Sequence, residues 1–341
     1  MPHIEYGHLD DEGTKTQRWL RGLRASAELA APLEKVRMVA VMDREADCFE
    51  VMAECRRLSD VELLVRAQHN RSQGKGQPKM FDAIRGQHAQ ASLEVPVLAR
   101  SARRSSRSQK AMSKQPARMA KVELRWRQVQ IQPTRGFSGE KPLRLNLVHV
   151  YEAKAGDAVK PLEWFLLTSL AVNSAHDATQ VVQRYRLRWR IEDWHKILKS
   201  GCKVEFLKHR KCERIERAVT INAVIAWRLA AMTLLGRETP ELPMEVLFSE
   251  TEIGVLKDFA RQNRKKVPQN LGAGVVTMAM LAGYLNRKND PPPGYKKIWE
   301  GYSMLTTMAR TYDLALHMAA QKESWFHHNL KGRIQHKLSP D

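Results

Sequence analysis

A pattern of ionisable side chains, Y-x2-R-x3-E-x3-K-x2-K, runs along the second half of the segment 174–199. In a continuous α-helix its five members would share one narrow face: Tyr185, Arg188, Glu192, Lys196 and Lys199. A carboxylate can hold a divalent cation, and Arg and Lys can hold phosphate oxygens, so such a face could bind both. The same spacing also suits exposed ion pairs among Arg188, Glu192 and Lys196, each contributing about 0.3–0.5 kcal/mol.

Two elements would have to position this chemistry. Ser174 with Asp177 three residues later predicts a helix start of the capping-box type, and the segment contains no Gly or Pro. An apolar stripe opposite the ionisable face would anchor that helix to a core: Leu187, Ile191, Trp194 and Leu198. The apolar run 37–42 predicts a strand that delivers Asp43 to a sheet edge, where a carboxylate can act in catalysis. The alternative is that Asp43 only caps a helix that begins near Arg44.

Taken together, these motifs resemble a known family. The segment YRLRWRIEDWHKILKSG resembles the Tyr-Arg-Glu-Lys signature of bacterial insertion-sequence DDE transposases, and VMDREAD resembles the strand that carries their second catalytic Asp. The two motifs stand in the family's order. The resemblance implies an enzyme that cuts DNA at the ends of a mobile element and joins the freed 3′ hydroxyl to target DNA.

The resemblance also implies a site. Asp43 and Glu192 would be catalytic residues and ligands of two Mg2+ or Mn2+ ions, which activate the attacking oxygen and stabilise the leaving oxygen. The DNA-binding residues would be Arg66, Trp164, Tyr185, Arg188, Lys196 and Lys199. Trp164 corresponds to an indole that stacks on an extruded base, although it could equally be a core aromatic at a strand start. Glu45 and Asp47 are interpreted as ion-pair partners, and His195 as structural.

The expected fold is an α/β, partial RNase H-like catalytic core with a β-rich insertion, followed by an all-α C-terminal dimerisation region. We place the partial core with its Asp at 1–66, the insertion at 67–170, the core helix with Glu192 at 171–212, and the dimerisation region at 213–341. Within the insertion, 100–114 is a basic hairpin tip or loop, and a phase slip after Trp126 predicts a β-bulge.

Composition agrees with a DNA-binding protein. Lys and Arg number 57 against 37 acids, a net charge of +20 that suits a polyanion. The longest apolar stretch, 218–235, is interrupted by Asn222 and Arg228, so we expect a buried helix and no membrane contact. The first 13 residues contain no apolar run typical of a signal peptide. The expected location is the bacterial cytoplasm, associated with the nucleoid. Expected partners are double-stranded transposon ends, target DNA and a second copy of the chain.

The sequence departs from the family at one essential point. A DDE site needs three carboxylates, and the acids before Asp43 lie in a polar segment or a helix without a strand pattern: Glu5, Asp10, Asp11, Glu12, Glu28 and Glu34. The stretch 1–22 resembles the family's approach to the second-Asp strand, which implies that the first Asp and the N-terminal DNA-binding region are missing. Two functions follow, a transposase or a catalytically inactive remnant that binds DNA, dimerises and inhibits full-length copies.

Overall fold

The computed structural model describes residues 14–33, 36–58, 60–97, 103–105, 108–112, 116–137, 139–155 and 160–337. The chain forms two compact units, 1–189 and 190–341. Among the acids before Asp43, five lie outside the described residues: Glu5, Asp10, Asp11, Glu12 and Glu34.

The first unit is built on a six-stranded sheet with the order β1-β2-β8-β7-β6-β3. β1 and β2 are parallel and the other neighbours are antiparallel. The strands are β1 (Met38–Met42), β2 (Val61–Arg66), β3 (Ala91–Val97), β6 (Arg118–Ile131), β7 (Leu143–Tyr151) and β8 (Glu163–Thr168), and a separate hairpin joins β4 (Arg103–Ser105) to β5 (Ser108–Met112). The strands of the expected insertion therefore extend the sheet of β1 and β2, and the predicted basic hairpin includes β4 and β5.

Helices cover both faces of the sheet. Because side chains alternate along every strand, each face has its own set of core residues. One core lies against α1 (Lys15–Ala30), α2 (Phe49–Arg57) and α3 (Met80–Arg85), and includes Phe49, Leu63 and Phe165. The opposite core lies against α4 (Ala175–Arg186) and includes Leu64 and Leu166. The capping box predicted for α4 is confirmed, since Ser174 Oγ accepts from the Asp177 amide at 3.2 Å and Asp177 Oδ2 accepts from the Ser174 amide at 3.1 Å.

The β-bulge predicted after Trp126 is wrong. β6 pairs with β7 without a register shift from Glu123 to Ile131. The apolar alternation changes phase because the covered face changes. Val122 and Leu124 point into the core against α4, whereas Val129 and Ile131 point into the opposite core.

The second unit is helical. It contains α5 (Arg190–Lys196), α6 (Cys212–Glu238), α7 (Glu250–Gln262), α8 (Leu271–Leu281) and α9 (Tyr295–Lys337). The sequence reasoning missed α7, whose start carries a second capping box between Ser249 and Glu252. An α/β core followed by an all-α region is nevertheless the class that was predicted, and it is confirmed.

The expectation that 218–235 is a buried helix is only partly correct. α6 buries Ala226, Leu229 and Met232, whereas Val224 and Trp227 are exposed, because its apolar residues occupy more than one side and the second unit covers one of them. Among the described residues, α6 is the helix whose length and composition would allow a membrane crossing, and the same test is passed by core helices of soluble proteins.

Candidate DNA and metal site

Asp43 lies where the sequence placed it, directly after β1. Met42 pairs with Val65 in the parallel ladder, so Asp43 leaves β1 beside Arg66, the last residue of β2. Asp43 is half-buried, and its Oδ1 accepts the Glu45 amide at 2.9 Å, which caps the 3₁₀ turn Arg44–Ala46. The capping role therefore exists. It engages one carboxylate oxygen and is compatible with a cation at the other.

The two acids that follow Asp43 are ion-pair partners, as predicted. Glu45 pairs with Lys15 at 2.8 Å on the surface. Asp47 is buried, and its carboxylate accepts from Arg71 at 2.5 Å and from the backbone amides of Gln68 and His69 at 2.6 and 3.0 Å. Asp47 thus holds the loop that follows β2 and is not available as a metal ligand.

Arg66 lies at the centre of a cationic cluster. Its Nη2 donates to the Glu163 carbonyl oxygen at 3.0 Å, and its guanidinium also interacts with the Tyr185 side chain. Burial lowers the pKa of Arg66, the charges of Arg44 and Arg188 lower it further, and Tyr185 opposes the shift. Cations close enough to perturb one another favour an anion at the same place. Arg44 was missed in the sequence reasoning, although it directly follows Asp43.

Trp164 and Tyr185 form an aromatic pair behind this cluster. Their ring centroids are 5.3 Å apart with an interplanar angle of 65°, an edge-to-face arrangement. Tyr185 is buried, and Trp164 is half-buried against the core below α4. Packing therefore fixes the indole while part of its surface stays accessible.

The expectation of one continuous helix through residue 199 is wrong. α4 ends at Arg186, a 3₁₀ turn spans Leu187–Trp189, α5 follows, and a π-helical turn occupies Ile197–Gly201. Because 3₁₀ and π turns differ from 3.6 residues per turn, the spacing alone no longer places all five side chains on one face. The apolar stripe is also incomplete, since Leu187 and Ile191 are exposed.

The break divides the signature between the two units. Tyr185 and Arg188 belong to the first unit, and Glu192, Lys196 and Lys199 to the second. α5 is held in the second unit by Trp194, whose indole N–H donates to the Ala223 carbonyl at 3.2 Å.

Ile197 of the π turn is buried, whereas the three signature residues of this segment lie at the surface of the second unit. Glu192 is exposed. The ammonium of Lys196 lies 4.8 Å from the centre of the Tyr295 ring, and its hydrogen bond to Tyr295 raises the pKa of Lys196. Lys199 lies 3.4 Å from Glu205 in an exposed pair. Both lysines therefore carry positive charge that a phosphate could meet.

The donor chemistry at Asp43 and Glu192 fits a hard divalent cation, which prefers carboxylate oxygens. Within the part of the chain that the structure describes, no group of three or more His, Cys, Asp or Glu side chains could hold a metal ion. The described residues thus offer suitable ligands without a complete cluster.

Comparison with known protein families gives two matches. Residues 27–228, more than half of the chain, match the Transposase DDE domain. Residues 224–317 match the Transposase Tn5 dimerisation domain. The first match includes Asp43, Arg66, the β-rich segment and Glu192, and the second covers most of the helical unit.

Proposed function

This chain belongs to the family of DDE transposases, and on that premise we propose that Asp43 and Glu192 are metal ligands for DNA cleavage and strand transfer. The substrate would be the ends of an insertion sequence, followed by target DNA. DDE transposases use divalent metal ions, and we propose Mg2+ or Mn2+ here because both ligands are carboxylates.

The cationic cluster around Arg66 is the observation that supports this proposal best. Arg66 ends β2 beside Asp43, Arg44 directly follows Asp43, and Arg188 lies in the turn Leu187–Trp189, which contacts β1. The charges of Arg44 and Arg188 act on Arg66. A phosphodiester drawn to these cations would lie next to a carboxylate able to hold a metal ion.

Each residue has a role that follows from its chemistry. Two divalent ions, when bound, would activate the attacking oxygen and neutralise charge on the leaving oxygen. Arg66, Arg188, Lys196 and Lys199 would hold phosphates. The Tyr185 hydroxyl, whose side chain interacts with the Arg66 guanidinium, would donate a hydrogen bond to a phosphate oxygen. The accessible part of Trp164 would stack on an unpaired base.

The chain's partners follow from the same assignments. DNA is the substrate of the family, and the match to a dimerisation domain supports a dimer. We propose that two copies join through the C-terminal helices and act on chromosomal DNA in the bacterial cytoplasm, at the nucleoid. The net charge of +20 favours such an association.

A second function is a catalytically inactive form that binds DNA, dimerises and inhibits a full-length transposase. The observation that favours it is the lack of a three-ligand cluster among the described residues. Loss of one of three carboxylates removes metal ligands without removing the cations that bind phosphates.

Metal-dependent nicking distinguishes the two functions. The purified chain would be mixed with a duplex that carries both ends of its insertion sequence, with Mg2+, Mn2+ or EDTA. Asp43→Ala and Glu192→Ala test the ligands, and Glu241→Gln is a control at an exposed acid outside the proposed site.

Nicking that requires metal and is lost in both ligand variants, but not in the control, would establish catalysis by this chain. Tight DNA binding without nicking would establish the inactive form. Failure of the native chain to bind DNA would refute both functions.

A further inference from the structure

We propose that Arg85, Glu163 and His149 form a clamp that positions Arg66 and Trp164 for DNA. The proposal rests on the function proposed above, because it assumes that Arg66 and Trp164 contact DNA. The three clamp residues lie on the face of the sheet opposite Trp164, and we propose that they act through the backbone of β8.

The clamp consists of two contacts to one carboxylate. Arg85, on α3, donates through Nε and Nη2 to Glu163 Oε1 at 3.1 and 3.0 Å, and through Nη2 to Oε2 at 3.1 Å. His149, on β7, places Nε2 3.0 Å from the same Oε1. Bidentate Arg–carboxylate pairs fix direction as well as distance, so Glu163 is held from a helix and from a neighbouring strand.

An aromatic stack packs against the clamp. The centre of the Phe165 ring lies 4.5 Å from the centre of the His149 ring, at an interplanar angle of 9°, and 3.8 Å from the centre of the Phe81 ring. The Arg85 guanidinium lies 5.0 Å from the centre of the Phe165 ring. These contacts leave His149 only 2% exposed, so the histidine ring has little freedom to rearrange.

The backbone of β8 connects the clamp to the proposed DNA site. The carbonyl of Glu163 accepts the hydrogen bond from Arg66 Nη2 at 3.0 Å. The next residue, Trp164, points to the opposite face and packs on Tyr185, because side chains alternate along a strand. A shift at the start of β8 would therefore move the acceptor of Arg66 and the indole together.

Glu163→Gln tests the clamp because it removes the charge and leaves the backbone carbonyl in place. Simple electrostatics predicts tighter DNA binding after loss of a negative charge, whereas the clamp predicts weaker binding. The matched control is Glu140→Gln, which breaks the Arg57–Glu140 pair in the same unit. The Glu140 side chain is 31% exposed and that of Glu163 is 33% exposed.

The affinity of each variant for a short fluorescent duplex would be measured by anisotropy, together with its melting temperature. We expect a several-fold rise in Kd for Glu163→Gln and none for Glu140→Gln. In an Arg66→Met background, Glu163→Gln should raise Kd much less, whereas its effect on melting temperature should persist. If Glu163 only stabilised the fold, the effect of Glu163→Gln on affinity would not depend on Arg66. An effect on Kd that depends on Arg66, together with an effect on melting temperature that does not, therefore indicates that Glu163 acts through Arg66.

Two different results would contradict the proposals. Weakened binding by Arg66→Met with native-like binding by Glu163→Gln would refute the clamp alone. Native-like binding by Arg66→Met would refute the proposed role of Arg66, and with it this use of the clamp.

Discussion

Replacing Asp47 with Asn tests how the loop after β2 is held beside the proposed site. The Asp47 side chain is fully buried and accepts the amides of Gln68 and His69 as well as a guanidinium N–H of Arg71. Asn offers one acceptor oxygen, and its NH2 group would face a donor. One buried donor would therefore lose its partner, and Arg71 would lose its counter-charge.

The expected cost follows from this geometry. Breaking a buried ion pair by removing one partner costs about 3–5 kcal/mol, because the remaining charge is buried without compensation. For a unit of this size, that corresponds to a fall of about 6–20 °C in melting temperature, at about 2–4 °C per kcal/mol.

Because the chain has two units, the assay must follow the first one. Hydrogen–deuterium exchange of β2 peptides reports its opening free energy, and Glu45→Gln, which breaks the exposed pair with Lys15, is the matched control. The control should change stability by less than about 1 kcal/mol. If Asp47→Asn lowered the opening free energy no more than the control does, other contacts would have to hold the loop.

Three further predictions concern DNA affinity, pH and helix packing. Arg66→Met should reduce the slope of log Kd against log salt concentration by about 1, since one phosphate contact is lost, in a salt titration by anisotropy. Burial lowers the pKa of His149, and the charges of Arg125 and Arg85 lower it further, whereas Glu163 raises it. Protonation of His149 therefore favours the unfolded chain. As the pH is lowered below about 6.5, the urea midpoint of the first unit should decrease in the native chain but not in His149→Gln. Gly301→Ala should cost about 1–3 kcal/mol in urea unfolding of the second unit, because a Cβ would lie 2.2 Å from the Met278 carbonyl oxygen where α9 crosses α8; a loss near zero would show that the helices separate easily.

Much of the first unit could be predicted from the sequence because its signals are local. The apolar run before Asp43 and the run at 61–66 became adjacent parallel strands, and Ser174 with Asp177 began α4. In each case, neighbouring residues determine the backbone, so periodicity and capping are sufficient.

The errors arose where tertiary contacts override periodicity. The apolar alternation of β6 slips in phase because helices cover one face of the strand in its first half and the opposite face in its second half. This depends on where the helices pack. The helical segment changes pitch at Leu187–Trp189, where it passes from one compact unit to the next. The acceptor of Arg66 is a backbone carbonyl, and no residue type at position 163 would indicate it.

In the proposed site, DNA binding and DNA cleavage would depend on different residues. The proposed phosphate contacts are cations that are present whether or not a metal ion binds, and one of them, Arg66, is oriented by the Glu163 carbonyl. Cleavage additionally requires carboxylates in sufficient number to hold two divalent ions. DNA affinity should therefore persist in EDTA, whereas any nicking should not. It follows that a chain without the complete carboxylate set should still bind DNA without cleaving it.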